Sequence, residues 1–290
     1  MKKLVKQLSL FFLLACTSNH GSSQTIYYAQ GDQKRVYEDE KKEVIDTCTL
    51  NIQYRMSSVE DTKNPKKKKE NFMLLQIGKH VSKFSDFLRL KADSLSTIYA
   101  LQKMDEIEAF NKLIPIQKEC ETFNIFKDYP NNNITVTDYM PLGGMYKYKE
   151  DKIKPNWIID KDTITIGGFL CKKATTTYRG RNYTAWYTEQ IPKSDGPWKF
   201  WGLPGLILKI VDDKNEYEFS FVAIEKPKGI EEIYIKNIDY FNSTRTKFNE
   251  GVKKFCQNPG PLFESMDVKV DGKSLMNITT IPYNPIELSE

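Results

Sequence analysis

Apolar and polar residues alternate along residues 44–56, close to the start of the chain. One set of positions is mainly apolar: Val44, Cys48, Leu50, Ile52, Tyr54 and Met56. A period of two predicts an antiparallel strand with one buried face and one face in water. A second strand is predicted at 72–77. The connection between them includes Lys66–Lys69, a run typical of a solvated hairpin tip, with a patch for an anionic membrane surface as the alternative.

The spacing of apolar residues becomes helical from residue 84 onwards. Residues three or four positions apart, with one polar interruption, form the predicted face: Phe84, Phe87, Leu88, Lys91, Leu95, Ile98 and Tyr99. A second helix is predicted at 105–113, ending before Pro115. This helical pair, about 85–118, would lie as a cap or lid on a sheet face. A last helix is predicted from an N-cap at Ser243 to Pro259.

The rest of the chain predicts short strands joined by turns. They are expected at 134–137, 145–149, 157–159, 163–166, 169–178, 182–190, 206–211 and 216–224. Consecutive hairpins of this kind make an antiparallel meander. We therefore predict a mainly β (α+β) fold, a curved antiparallel sheet or half-barrel meander with an inserted helical pair and a C-terminal helix. Residues 24–290 would form a single domain.

The connection between the strands at 182–190 and 206–211, here called the aromatic connection (residues 191–205), is rich in large apolar side chains. Pro204 presets φ and Gly205 accepts a positive φ, which predicts a type II turn. Five side chains form a candidate binding surface: Trp186, Trp198, Phe200, Trp201 and Leu203. So much aromatic area is costly on a short connection unless it is buried or held for a ligand. An aromatic plug that closes the sheet is the commoner outcome.

The same segment resembles a known family. The run Gly202-Leu203-Pro204-Gly205-Leu206-Ile207 is similar to the motif that names the GLPGLI family of exported Bacteroidetes proteins. The likeness extends to Gly167-Gly168-Phe169, to Asp195-Gly196-Pro197-Trp198 and to Asn284-Pro285-Ile286-Glu287-Leu288. The resemblance implies an exported protein, but the family has no established activity, cofactor or catalytic residues to carry over. A more distant analogy is the half-barrel of periplasmic lipoprotein-carrier proteins.

The first 23 residues have the composition of a secretory signal. Three lysines precede the apolar stretch at 8–15, which is too short to cross a membrane. Cleavage near Ser23 would reduce the formal charge from +5 to +2 by removing those lysines. The alternative is a lipobox at 13–16, in which Cys16 carries lipid. We expect an exported protein that is periplasmic or associated with the outer membrane.

The composition of the 290 residues excludes several chemistries. The two histidines, His20 and His80, cannot build a three-histidine zinc site, and no glycine-rich phosphate loop is present. A balanced charge with six arginines argues against nucleic-acid binding. We expect no metal, no cofactor and no nucleic-acid partner.

Four cysteines remain in the expected mature chain: Cys48, Cys120, Cys171 and Cys256. An even number in an exported protein predicts two disulfides, whose connectivity the sequence leaves open among three pairings. Buried free thiols are the alternative.

The preferred function is a non-enzymatic envelope protein that binds an apolar ligand or an extended peptide, because of the aromatic load. The alternative is a structural or assembly partner of an outer-membrane complex. A remote alternative is a hydrolase that uses paired carboxylates without histidine. Its candidates are Asp160, Asp162, Asp195, Asp212 and Asp213. Aspartate at turns is favoured for local hydrogen bonds, so we expect no enzyme activity and no catalytic residue.

Overall fold

A computed structural model describes residues 33–141, 143–260, 269–270, 273–274 and 280–289. The predicted signal segment, with Cys16 and His20, lies outside these ranges. The predicted fold class is confirmed. The described part contains three helices and one large open sheet of twelve strands.

The bounds of the elements are as follows. The helices are α1 Phe87–Leu101, α2 Glu106–Lys118 and α3 Arg245–Gln257. The first strands are β1 Lys42–Thr47, β2 Leu50–Ser58, β3 Lys69–Ile77, β4 Ser82–Asp86, β5 Asn124–Lys127, β6 Asn133–Met140, β7 Gly144–Asp151 and β8 Ile158–Ile166. They continue with β9 Phe169–Tyr178, β10 Arg181–Thr188, β11 Leu206–Asp212, β12 Tyr217–Glu225, β13 Glu232–Lys236, β14 Phe241–Ser243, β15 Lys269–Val270 and β16 Lys273–Ser274.

The large sheet has the order β14-β7-β6-β5-β4-β3-β2-β12-β11-β10-β9-β8. Every neighbouring pair is antiparallel except β14 and β7, which run parallel. Strands β8 to β12 follow one another in space as in sequence, so the predicted meander is confirmed. Strand β2 joins it to the strands β3 to β7. The two edges of the sheet are β8 and β14.

The sheet curves around the aromatic connection. The Lys127 ammonium, on β5, donates to the Gly196 carbonyl oxygen at 2.6 Å and forms an ion pair with Asp195. The backbone N–H of Ile207, on β11, donates to the Asp195 carbonyl oxygen at 3.0 Å. A flat sheet would hold β5 and β11 about 24 Å apart, because five strand spacings separate them. These contacts therefore require a curved sheet with the aromatic connection across its concave face.

A separate ribbon, formed by β1 and β13, covers part of the opposite face. Here Cys48, Val81 and Ile233 form a second, smaller core. The Glu231 carboxylate accepts hydrogen bonds from the side-chain amides of Gln76 and Asn51 at 2.6 and 2.8 Å. The ribbon is thus tied to the outer face of β2 and β3.

This ribbon explains why the predicted strand at 44–56 is two strands. The backbone N–H of Cys48 donates to Glu231, in the connection before β13, whereas that of Thr49 donates to Ile77 of the large sheet. The chain therefore passes from one sheet to the other between these two residues. Val44 is half exposed, while Ile52 and Tyr54 are fully buried in the main core.

The predicted apolar face of the first helix is wrong. Phe84 belongs to β4 and is fully buried in the main core. In α1 the buried positions include Asp93 and Ser96, while Phe87 is 41% exposed. The reason is a polar contact with the ribbon, in which Asp93 forms an ion pair with Lys236 at 2.7 Å. Polar side chains can be buried when they have hydrogen-bond or ion-pair partners. Such residues therefore occupy buried helix positions at which the spacing pattern predicts apolar residues.

Two helix ends also differ from the prediction. The second helix continues through Pro115 to Lys118, although proline removes one intrahelical hydrogen bond. Its flanking residue Ile114 is buried, so packing holds the last turn in place. The last helix is capped by Thr244 rather than Ser243, because the Thr244 hydroxyl accepts the backbone N–H of Lys247 at 3.3 Å.

The predicted disulfides are wrong, since all four cysteines are buried thiols that are not joined to one another. Cys48 lies in the second core and Cys171 in the main core, while Cys120 follows α2 and Cys256 lies in α3. Burial raises the pKa of Cys48 and Cys171 to about 11 and that of Cys120 to about 12. These three thiols are therefore protonated and unreactive at neutral pH.

Lys83, on β4, is fully buried beneath the ribbon. Its ammonium lies 4.2 Å from the ring centre of Tyr234 and 3.4 Å from the Tyr234 carbonyl oxygen. Among the described residues it has no ion pair within 4 Å. Burial lowers its pKa to about 8, because removal from water disfavours the charged form.

We expect Lys83→Met to stabilise the protein near pH 7. The variant removes a buried charge and keeps the length of the side chain. The unfolded lysine stays charged up to about pH 10.4, so the wild type itself gains stability as pH rises from 8 to 10. The advantage of the variant should shrink over that interval in urea unfolding curves. If the stability difference between the variant and the wild type is the same at pH 7 and pH 10, Lys83 is not the titrating group.

Candidate functional site

The predicted binding residues divide into two groups. Phe200 and Leu203 are 0% and 2% exposed and belong to the main core. The ring of Phe200 packs against Tyr183 at 4.7 Å between ring centres. Trp186, Trp198 and Trp201 are only partly buried. The aromatic connection is therefore a plug, since Phe200 and Leu203 are in the core and Trp198 packs against Phe123 of the same core at 4.8 Å between ring centres.

The six residues 202–207 of the motif are mostly structural. Leu206 and Ile207 are fully buried at the start of β11. Gly205 has φ +157°, not the +80° of the predicted type II turn, so that prediction is wrong. A Cβ at Gly205 would lie 2.1 Å from the Thr188 carbonyl oxygen. The glycine is thus required by the close approach of two backbones.

The tail, residues 280–289, packs against the aromatic connection and forms hydrogen bonds with it. The Trp198 indole N–H donates to the Glu287 carboxylate at 3.2 Å. The Leu288 backbone N–H donates to the Arg179 carbonyl oxygen at 2.8 Å, and the Tyr183 hydroxyl donates to the Ile286 carbonyl oxygen at 3.2 Å. The tail therefore packs as an extra segment against β10 and the aromatic connection.

A buried cluster of charges accompanies this contact. Lys199 is 1% exposed and forms ion pairs with Glu287, at 2.7 Å, and with Glu150. Arg245 of α3 forms an ion pair with Glu287 at 3.1 Å. Burial opposes the charge on Glu287, but Lys199 and Arg245 outweigh it and lower the pKa of that carboxyl. The tail carboxylate is therefore ionised and holds two cations in place.

A second cluster surrounds Arg181. Its guanidinium forms ion pairs with Asp212 at 2.8 Å and with Glu216 at 2.6 Å. The same group donates to the Asn284 side-chain oxygen at 2.7 Å and to the Pro285 carbonyl oxygen at 2.8 Å. Arg181 thus links the turn after β11 to the tail.

A cleft of about 600 Å³ opens beside the motif. Its walls include Lys154, Pro155, Trp157, Ile159, Gly202 and Pro204. The Trp157 indole N–H donates to the Trp201 carbonyl oxygen at 2.8 Å, and the Trp201 indole N–H donates to the Ile153 carbonyl oxygen at 3.3 Å. These two bonds fix the segment before β8 against the aromatic connection. The volume is within the range of ligand pockets.

Gly202 and Lys154 shape one wall of the cleft. A Cβ at Gly202 would lie 2.8 Å from the Lys154 Cγ and Cε atoms, so the glycine makes room for the lysine stem. Lys154 is exposed and has no ion pair or hydrogen bond with any described residue. The wall therefore presents a cation beside the apolar surfaces of Trp157 and Pro204.

The five candidate hydrolase carboxylates are dispersed and hold structural contacts. Asp160 and Asp162 are exposed and both contact Lys173, at 3.5 and 2.8 Å. The backbone N–H groups of Lys161 and Asp162 lower the pKa of Asp160. The remaining three have separate partners: Asp195 pairs with Lys127, Asp212 with Arg181, and Asp213 accepts a hydrogen bond from Asn182.

Two further residue groups lie away from the cleft. His80 is exposed, and its backbone N–H donates to Asp46 at 2.7 Å. Lysines 66–68 lie in the exposed hairpin between β2 and β3, whereas Lys69 begins β3, is partly buried and forms an ion pair with Glu121 at 2.9 Å. Within the described ranges, no three His, Cys, Asp or Glu side chains are grouped as a metal site. The helices described are all too short or too polar to cross a membrane.

The buried cations are the site residues that sequence reasoning missed. A signal was present at Lys199, which lies between Trp198 and Phe200 in the most apolar connection of the chain. A lysine in such a run is almost never buried unless it is paired. Which carboxylates pair with it depends on where the tail lies, and the sequence pattern does not give that position.

One family model matches part of the chain. Residues 177–209 match a family model described as "Protein of unknown function (Porph_ging)". The match includes β10, the aromatic connection and the first half of β11. No curated protein matches the chain.

Two solved structures of PNGF-II are similar to the chain. The structure in space group P21 is 17% identical with a TM-score of 0.47, and the match covers 72% of this chain and 34% of that one. The structure in space group C2 is 16% identical with a TM-score of 0.47, and the match covers 72% and 33%. The chain therefore spans about a third of the length of these structures.

Proposed function

We propose that this chain is an exported cell-envelope protein of the GLPGLI type that binds an apolar ligand or an extended peptide without catalysing a reaction. The observation that carries the proposal is the cleft between Trp157, Ile159 and Pro204. Ligand sites are concave and mostly apolar, with a few polar groups for orientation. The cleft has this composition, since Lys154 and Ser194 accompany its apolar walls.

The rigid support of the cleft favours binding. One wall belongs to the aromatic connection, whose inner residues Phe200 and Leu203 are in the core. The Glu287 carboxylate of the tail bonds to Trp198 and Lys199 of that connection. A site held by packed elements is pre-organised, which reduces the ordering cost of binding. The buried charge clusters then serve the cleft by fixing its wall.

The family match supports the GLPGLI assignment, because 177–209 contains the motif Gly202–Ile207. Export rests on the signal-like composition of 1–23. Mass spectrometry of the protein from its own envelope would test it, since a mature chain should begin near Gln24, or at a lipid-bearing Cys16. An intact Met1 in the mature protein would contradict export by cleavage.

The alternative function, an assembly partner in an outer-membrane complex, is favoured by one observation. Strand β8 is an open sheet edge with Ile158 and Ile159 68% and 54% exposed. Exposed apolar edges mark sites of association between chains.

The cleft is tested with a neutral apolar fluorophore, N-phenyl-1-naphthylamine. We expect saturable binding to the wild type and at least tenfold weaker binding to Ile159→Glu, which places a charge on the wall. An apolar contact of this size contributes about 1.5–3 kcal/mol, and 1.4 kcal/mol is tenfold in affinity. The control is Ile230→Glu, because Ile230 is 89% exposed and lies outside the cleft. Equal binding by the two variants would exclude the cleft as the site.

A further inference from the structure

Strand β8 leaves one backbone edge unpaired. It is the last strand of the large sheet and pairs only with β9. In a strand, every second residue directs its N–H and C=O groups to the same side. No other described strand or loop bonds to the backbone groups on the outer side of β8. This row of donors and acceptors is a template for one more strand.

Charges protect only part of this edge. The register of β8 against β9 shifts between Ile159 and Thr163, and the three residues inside the shift are Asp160, Lys161 and Asp162. Bulges and charges are the usual means of blocking edge-to-edge pairing. The strand residues before the bulge, Ile158 and Ile159, carry no charge and are 68% and 54% exposed. The edge therefore has two uncharged parts, residues 163–166 beyond the bulge and residues 158–159 beside the cleft.

The cleft is continuous with this unprotected edge. Trp157, directly before β8, and Ile159, in β8, both line the cleft, so the cleft lies against the start of the strand. A strand added along 158–159 would place one of its side chains on the same side as Ile159. Its apolar side chain would then enter the space between Trp157 and Pro204.

The charge of the cleft specifies the occupant further. Lys154 lies four residues before the start of β8, and its stem passes close to Gly202. It has no acidic partner among the described residues. A carboxylate on the incoming chain could form an ion pair with this exposed lysine, which would give direction to the complex.

We infer that the occupant of the cleft is an extended segment of a partner protein that pairs with the free edge of β8. The segment places a large apolar side chain between Trp157 and Pro204 and a carboxylate opposite Lys154. This inference rests on the proposed function, which requires only that the cleft binds an apolar group. Main-chain hydrogen bonds supply affinity in this mode of recognition, and the pocket supplies specificity.

The test begins with a phage-displayed library of random twelve-residue peptides selected on the full chain. The best peptide is then synthesised with a fluorescent label, and its Kd is measured by polarisation. We expect enriched sequences with alternating apolar residues and an acidic residue. Methylation of a central backbone nitrogen in the peptide should weaken binding at least tenfold, because it removes a donor to β8.

Three variants locate the peptide. Ile158→Lys puts a charge on the edge but leaves the cleft walls intact, and Lys154→Glu reverses the cation. Both variants should raise the Kd of the peptide at least tenfold. Ile230→Lys, at an exposed position away from the edge, should change this Kd less than twofold. Ile158→Lys should still bind N-phenyl-1-naphthylamine as the wild type does, which shows that it is folded.

The outcomes separate the two proposals. If no peptide is enriched, or methylation and Ile158→Lys have no effect, while the fluorophore still distinguishes Ile159→Glu from Ile230→Glu, the partner strand is excluded and a small apolar ligand remains. If the fluorophore does not bind the wild type either, the proposed function is also wrong.

Discussion

Arg181→Met should destabilise the protein by about 3–5 kcal/mol, the range observed when one partner of a buried ion pair is removed. The Arg181 and Asp212 side chains are 2% and 0% exposed and lie 2.8 Å apart. Methionine fills most of the space but leaves Asp212 charged and without its cation. The variant also loses the bonds from the guanidinium to Asn284 and Pro285. Urea unfolding at neutral pH measures this loss.

The tail should be the first element released in this variant. Its bonds to Tyr183 and Tyr217 and the ion pairs of Glu287 remain, but residues 284–285 lose both of their bonds to the guanidinium. Limited proteolysis should therefore cut the tail faster in Arg181→Met than in the wild type, because segments with few remaining contacts open locally.

Two further variants assign the cause. Arg181→Met combined with Asp212→Asn should recover part of the lost stability, because the fully buried carboxylate is then neutral and only Glu216, which is 15% exposed, stays charged without Arg181. Lys172→Met, which breaks an ion pair with Glu189 whose side chains are 46% and 49% exposed, should cost less than about 1 kcal/mol. A double variant no more stable than Arg181→Met would show that the tail contacts, rather than the buried charge, account for the loss.

The part of the fold that sequence predicts well is the meander. Strand β9 begins and ends where the pattern places it, at Phe169 and Tyr178. Strands β10 to β12 agree to within two residues of the predicted bounds. The turns between β8 and β9, between β9 and β10 and between β11 and β12 are short and contain glycine or asparagine, so period and turn chemistry indicate the same structure there. Local rules suffice where each strand pairs with the next one.

The elements that sequence mispredicts depend on distant contacts. The face of α1 is polar because Asp93 meets Lys236, which is 143 residues further along the chain. Strand β5, at 124–127, was not predicted, and its Lys127 is buried against the aromatic connection. The fold places the four cysteines in different parts of the structure. Their spacing along the sequence does not show which of them lie close together.

In the candidate site, too, the sequence predicts the local features and not those that depend on distant contacts. Sequence pattern identified the aromatic connection and its motif, because turns and aromatic residues are local signals. It did not identify the cleft, since one wall comes from the segment before β8 and the other from residues 202–204. It also grouped Phe200 and Leu203, which are in the core, with tryptophans that are only partly buried.

Gly205→Ala should destabilise the protein by about 3 kcal/mol or more, which is in the range of mutations that force backbone strain at a packed site. The added Cβ would lie 2.1 Å from the Thr188 carbonyl oxygen, and this is backbone that cannot rotate away. Relief would require β11 to move away from β10, which displaces Leu206 from the core. The cleft wall at Pro204 should move with it, so N-phenyl-1-naphthylamine binding should weaken as well.

Two other glycines separate the causes of this loss. Gly229→Ala adds a methyl group where nothing lies within 4 Å, so it should be neutral or stabilise by up to about 1 kcal/mol. Gly168→Ala also meets open space but has φ +86°, so it should cost about 1–2 kcal/mol for the left-handed backbone alone. The difference between Gly205→Ala and Gly168→Ala in the free energy of unfolding then measures the cost of the contact with Thr188 of β10. If the two variants lose equal stability, the motif glycine is needed for its backbone conformation and not for the contact with Thr188.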